Sequence, residues 1–361
     1  MAKPIIVACA VFLSCSCGAA QAQPRTHVLF TVDVESYAHG DPGEQIWGEI
    51  AGVGERWGIT RIMDVFEAHG LRATFYVNVY EAAAHGADSI RRAAREIHGR
   101  GHDVQLHTHP APMFEMAGMD EGDLARQEEV LRRGIELLRE WTGKTVIAHR
   151  AGGFRANRDT LKAARHTGLA VDSSFAAIVQ AHYPTVRARN TVQVTEGMIR
   201  LPVTFYHQVA LGSWGARRLV DLEAASEREL RAILDQAAEG GLCAVNILMH
   251  SFSLSREGRA DPAMARRLDT IVAYAKSHPR LEVVTTTTLH ERVVSRDVCA
   301  GETEIVPVTG WFLTFARAVE DFDRGWKNKA VVIAAGCGAA MMVSAAVLLL
   351  LRYSQRRTRR P

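Results

Sequence analysis

The chain has no internal repeat and no low-complexity linker, so it is neither a solenoid nor a string of modules on flexible spacers. It also lacks a basic stripe. The formal charge is +3, but five Arg fall in the last ten residues and Lys3 lies near the start. Taking these away leaves −3 for residues 23–351. A net acidic body excludes a binder of nucleic acid or another polyanion. Cysteine is scarce as well. Of six, Cys9, Cys15 and Cys17 lie in an apolar N-terminal segment and Cys337 in an apolar C-terminal one. Only Cys243 and Cys299 remain, enough for one disulfide in an oxidising compartment or for two separate buried thiols.

Charge is missing altogether from "AVVIAAGCGAAMMVSAAVLLLL", residues 330–351. Twenty-two residues at helical rise cover the hydrocarbon core of a bilayer, so the expectation is one transmembrane helix. The tail at 352–361, "RYSQRRTRRP", has five Arg and no acid, which assigns the C-terminus to the cytoplasm and the body to the outside. At the other end, Lys3, an apolar run over residues 5–13 and the ending Ala20-Gln21-Ala22 have the order of a secretory signal at 1–22. Residues 296–329 form a juxtamembrane segment, and "GWFLTFARAVEDFDRGWKNK" within it reads either as an interfacial amphipathic helix or as a short packed one.

What is present lies between. Residues 23–295 suit one large domain, and the chain as a whole is 47% hydrophobic and 23% charged, a globular composition. Strand-like and helix-like segments alternate: "HVLFTVD", then "GITRIMDVFEAHG", "RATFYVN", "DSIRRAAREIHGRG", "HDVQLH", the amphipathic "DEGDLARQEEVLRRGIELLREWTG", "TVIAHR" and onward to "LCAVNILMH" and a last strand "LEVVTTTT" at 281–288. Such alternation predicts an α/β fold with a parallel sheet, open or closed into a barrel.

Ionisable residues gather where these strands end. Asp33 closes the first and Glu35 follows it. His107 closes "DVQLH" and His109 follows. Arg150, Asp172 and His250 end three others. Singly, each has an ordinary explanation as a cap, a turn residue or a packed polar group. Together, in a parallel barrel, they open on one mouth. Side chains two apart on a strand share a face, so Glu35 can join Asp33, and His107 can join His109. Two His and a carboxylate make the donor set of a catalytic zinc site with one position open.

These segments resemble the motifs of the polysaccharide deacetylase family, related to chitooligosaccharide deacetylase (carbohydrate esterase family four), over residues 27–290. "FTVDVE" resembles the first motif, "GHDVQLHTHP" the second, "HRAGGF" the third, "GLAVDSS" the fourth and "ILMHSF" the fifth. The resemblance implies a distorted (β/α) barrel. It implies Asp33 as base, oriented by Arg150, and His250 as acid, supported by Asp172. Glu35, His107 and His109 would be the ligands of a divalent metal, most simply Zn²⁺. Val34 and Ala111 stand where the common motifs carry a ligand, which moves those roles to Glu35 and His109, with His102 in reserve. Phe154, Tyr206 and Trp214 are candidates for a sugar-stacking wall. The implied activity is removal of N-acetyl or O-acetyl groups from an envelope or exported polysaccharide, with the membrane as the other partner and no nucleic acid. Two other readings stay open: cleavage of another carbon–nitrogen bond, such as a cyclic amide, and a degenerate barrel that binds glycan or an assembly partner.

Overall fold

A computed structural model describes residues 25–36, 40–111, 113–176, 189–195, 197–211, 214–295, 299, 304–321, 329–330 and 332–333. The signal at 1–22, the tail at 352–361 and nearly all of 330–351 lie outside these. Among the described residues no helix is long and apolar enough to cross a membrane.

Strand β1 (Thr26–Val34) is paired on both sides and is buried along its whole length. Helices α1 (Pro42–Gln45) and α2 (Ile59–Ala68) follow, then β2 (Thr74–Asn78), α3 (Ala82–His85), α4 (Ala87–Gly99) and β3 (Asp103–Thr108). Helix α5 (Leu124–Thr142) starts at Asp123, whose carboxylate accepts from the Arg126 N–H, and stops at Gly143, whose left-handed conformation strains any other residue. Its buried stripe includes Val130, Leu131, Leu138 and Trp141. Next come β4 (Ala148–Ala151), α6 (Arg158–His166) and β5 (Val171–Asp172).

Beyond β5 the alternation breaks. Among the described residues, four strands follow without a helix: β6 (Gln193–Thr195), β7 (Met198–Arg200), β8 (Phe205–Leu211) and β9 (Trp214–Leu219). It resumes with α7 (Glu227–Gly240), begun by a capping box of Ser226 and Glu229, and β10 (Ala244–His250). A small hairpin, β11 (Ser255–Arg256) with β12 (Arg259–Ala260), leads to α8 (Pro262–Ser277) and β13 (Leu281–Val283). The strand expected at 281–288 is thus short. Thr285 caps with its hydroxyl the N–H of Thr288, and the threonine run opens α9 (Thr286–Val294) instead. Strand β14 (Val308–Thr309) and α10 (Trp311–Glu320) end the described body.

The main sheet runs β10-β1-β2-β3-β4-β5-β7-β6, with β13 also on β1. All its pairs are parallel except β6 with β7. It forms an incomplete barrel rather than a closed ring of ladders. The gap beyond β7 is bridged by single hydrogen bonds: Leu201 N–H donates to Asp172, Val203 N–H to Phe175 and Thr204 N–H to Asn246 of β10. The outer edge of β10 is covered by residues 220–222 through Leu222 N–H to Leu248 and Leu248 N–H to Val220. Cys243 and Cys299 form a disulfide, with Cα atoms 5.3 Å apart, at the foot of β10.

Candidate active site and metal centre

Register decides which strand-end residues meet. Neighbours on parallel strands point to the same face. Asp33 pairs with His250 on one side and Tyr76 on the other; His107 pairs with Asn78 and Arg150. All six therefore face the barrel interior and its mouth. The Arg150 guanidinium is fully buried, which demands a counter-charge, and Asp33 supplies it: Nη1 donates to Oδ1 at 2.6 Å. Its Nη2 donates to Thr31 Oγ1 at 2.9 Å and Ser173 Oγ at 3.0 Å, and its charge lies 4.3 Å from the Tyr76 ring centre.

Glu35 and the two histidines converge above this pair. Glu35 Oε2 is 3.1 Å from His107 Nε2 and 2.7 Å from His109 Nε2. Burial alone would raise the Glu35 carboxyl, but the two imidazoles outweigh it and hold it well below the usual range. Burial likewise opposes protonation of His107, and the charges of Asp33 and Glu35 overcome it and raise its pKa. The backbone of the trio is held from outside. Ser251 Oγ donates to the Glu35 carbonyl at 2.8 Å, and the His109 N–H donates to Asn78 Oδ1 at 3.3 Å. Gly152 leaves the space His109 fills: a Cβ there would lie 2.2 Å from its Nε2.

Asp172, expected to support His250, lies elsewhere. It pairs in register with His149, the residue before Arg150, and so lies on the opposite face of the sheet. Its carboxylate accepts from Ser174 Oγ at 2.8 Å and lies 3.6 Å from His149 Nδ1. Ser173 takes the interior position. The partner of His250 is Glu223, whose Oε1 is 2.9 Å from Nδ1. Burial would lower the His250 pKa, but the Glu223 hydrogen bond and charge win and push it up to about 10. Ser253 donates its hydroxyl to the same carboxylate and accepts the His250 N–H at 2.8 Å. His250 Nε2 faces inward, 3.8 Å from Glu35 Oε1. Glu223 was invisible in the sequence because it sits in a loop between β9 and α7, where an acid reads as a helix-start residue.

His102, the reserve ligand, stands at the other end of β3. Its Nδ1 accepts the Ala73 N–H at 3.1 Å, far from the mouth in register. Tyr206 is fully buried and forms no wall. Phe154 is partly buried against the cluster that includes Val203 and Phe205, and the Trp214 side chain lies outside the described residues. Phe252 lies beside the mouth, stacked on His250 at 4.9 Å with 9° between planes. A cavity of about 280 Å³ opens beside it, lined by Glu44, Glu223, Phe252, Ser253, Arg256 and Asp261 among others.

Would the residues hold a metal? Among the described residues, Glu35, His107 and His109 form a trio whose donor atoms lie within 4.8 Å of one another. Two imidazole nitrogens and one carboxylate oxygen suit Zn²⁺ or a similar ion. The outer support acts through backbone groups, while His107 Nδ1 is buried without a partner. The donor set fits.

Residues 53–171 match the family model described as polysaccharide deacetylase. The match takes in His107, His109 and Arg150 and leaves Asp33, Glu35 and His250 outside. No curated protein matches the chain. Among solved structures, a Mycobacterium smegmatis protein described as a candidate polysaccharide deacetylase is 20% identical, with a TM-score of 0.53 over 79% of this chain and 95% of that one. This likeness shows the fold. An acetyl xylan esterase of family 4 from Clostridium thermocellum, in complex with a cobalt ion, is 15% identical, with a TM-score of 0.41 over 74% of this chain and 91% of that one. A family pseudoenzyme from Bacillus anthracis is 12% identical, with a TM-score of 0.42 over 74% and 66%. The match to the polysaccharide deacetylase model thus lies across β2 to β5, about a third of the chain, and the likeness in fold extends it on both sides.

Proposed function

We infer that the chain is a metal-dependent hydrolase that removes N-acetyl groups, or O-acetyl groups, from an envelope or exported polysaccharide. The observation that carries this reading is the flanking of the Glu35–His107–His109 trio by two supported groups, Asp33 on Arg150 and His250 on Glu223. The trio would hold a divalent cation, Zn²⁺ by its donor set. When bound, such an ion lowers the pKa of a water and polarises a carbonyl.

The chain's own residues do the rest. Arg150 occupies Oδ1 of Asp33 and fixes the carboxylate, so Oδ2 is the atom that takes a proton from the attacking water. Glu223 occupies Nδ1 of His250, so Nε2 delivers a proton to the departing group. An amine leaves only when protonated, and the inward-facing Nε2 of His250 is placed to supply that proton. The cavity beside Phe252 accommodates the sugar next to the acetyl group.

The same reading puts the body outside the cytoplasm, on a single-pass anchor at 330–351 after removal of the signal at 1–22. The Cys243–Cys299 disulfide supports an oxidising compartment. The test is acetate release from acetylated oligosaccharides by the purified chain, with bound metal measured and Glu35→Ala and His250→Ala as controls. Release that needs no metal, or that survives both changes, overturns the mechanism. No metal and no acetate, with glycan binding retained, would identify a degenerate barrel instead.

A further inference from the structure

Helix α10 turns a polar-anchored face inward and an apolar face out. Thr314, Arg317 and Ala318 are buried, with Arg317 Nε 3.4 Å from Glu229 of α7. Just past its end, Asp321 makes a buried ion pair with Arg267 of α8 at 2.7 Å. The helix is therefore fixed to the body. Yet Trp311, Phe312, Phe315 and Val319 are 61%, 74%, 39% and 51% exposed. Four large apolar side chains on one ten-residue helix form a patch rather than scattered singles.

We propose that this face of α10 lies in the headgroup–acyl boundary of the membrane that holds the C-terminal anchor. The inference rests on the membrane reading of residues 330–351. Nine residues, 321–329, separate α10 from that uncharged run, and they include Trp326, Lys327 and Lys329. Aromatic and basic residues just before a span are interface anchors. Nine residues extended reach about 30 Å, so the helix cannot leave the vicinity of the bilayer. A second copy of the chain fits less well. A ten-residue helix is about 15 Å long and offers on the order of 150 Å² on one face, well below the roughly 800 Å² per partner of a stable interface.

The experiment uses the full chain in liposomes of mixed zwitterionic and anionic phospholipid. Cys9, Cys15, Cys17 and Cys337 are replaced by Ser and the disulfide is kept. An environment-sensitive fluorophore is attached to Phe312→Cys or Phe315→Cys, and to Val294→Cys, which is 65% exposed on α9, as control. Flotation is read first. A chain that does not float with the liposomes overturns the membrane reading and this inference with it. For a chain that floats, brominated lipids should quench the labels on α10 several-fold more than the label on α9. Equal quenching overturns the inference and leaves the anchor standing. Labels shielded from aqueous iodide but untouched by brominated lipid would mean that protein covers the face, and would also overturn it. Acetate release by the labelled chains separates both outcomes from failure of the active-site reading.

Discussion

At position 152 the absence of a side chain decides whether His109 can reach Glu35. The extra carbon of Gly152→Ala would fall inside the imidazole, so the ring must swing away. We expect this variant to bind Zn²⁺ roughly 10- to 100-fold more weakly, the usual cost of disturbing the support of a ligand, with little change in unfolding. Titration against a chromophoric chelator reads the first, and thermal melting the second. Glu223 and Asp172 offer a second contrast. Only Glu223 touches His250. Glu223→Gln should lower kcat on order 10²-fold, the scale of a general-acid contribution, whereas Asp172→Asn should act mainly on stability. Equal losses of kcat, measured by acetate release, would contradict the assignment.

Strand β3 carries His107 near one end and is preceded by His102 at the other, with opposite duties. His107 faces the mouth, while His102 is built into the floor, where its Nδ1 accepts a backbone N–H and must stay unprotonated. Burial lowers its pKa from 6.5 to about 4. Since the unfolded chain takes up that proton first, His102 contributes its full stability above pH 6.5 and loses it as pH falls toward 4. Melting temperatures over this range should fall less steeply for His102→Gln. Elsewhere in the sheet, the disulfide ties the foot of β10 to the segment after α9 across 56 residues. Cys299→Ser should cost at most about 4 kcal/mol in urea unfolding and leave metal affinity unchanged, because the bond lies at the end of β10 away from His250. The same elements show what a sequence can reveal. Strand periodicity put Asp33 with Glu35 and His107 with His109, because a two-residue spacing is a local property. Asp172 misled because one residue out of phase looks the same in a strand of two residues. Glu223 depends on residues 220–222 covering β10, a contact between distant segments. The half-open barrel was beyond reach for the same reason, since its gap is bridged by single hydrogen bonds rather than by a patterned strand.

For the molecule as a whole, the proposed ion should act as a ligand of the folded state alone. The trio draws on β1 and β3, strands that the unfolded chain does not hold together. Zn²⁺ at 100 times its dissociation constant should therefore add about 2.7 kcal/mol to stability, and a chelator should remove that increment without unfolding the body. Differential scanning calorimetry with and without chelator measures it. A different consequence follows from the ion pair of Arg267 and Asp321. The same guanidinium donates to the carbonyls of Leu222 and Ala225, on either side of Glu223. The mouth is thus fastened to Asp321, nine residues before the uncharged run at 330–351. If that run lies in a bilayer, as proposed, the site works within a layer of set depth. Acetyl groups beyond it are out of range whatever their chemistry, and selection among polymers becomes in part a matter of distance.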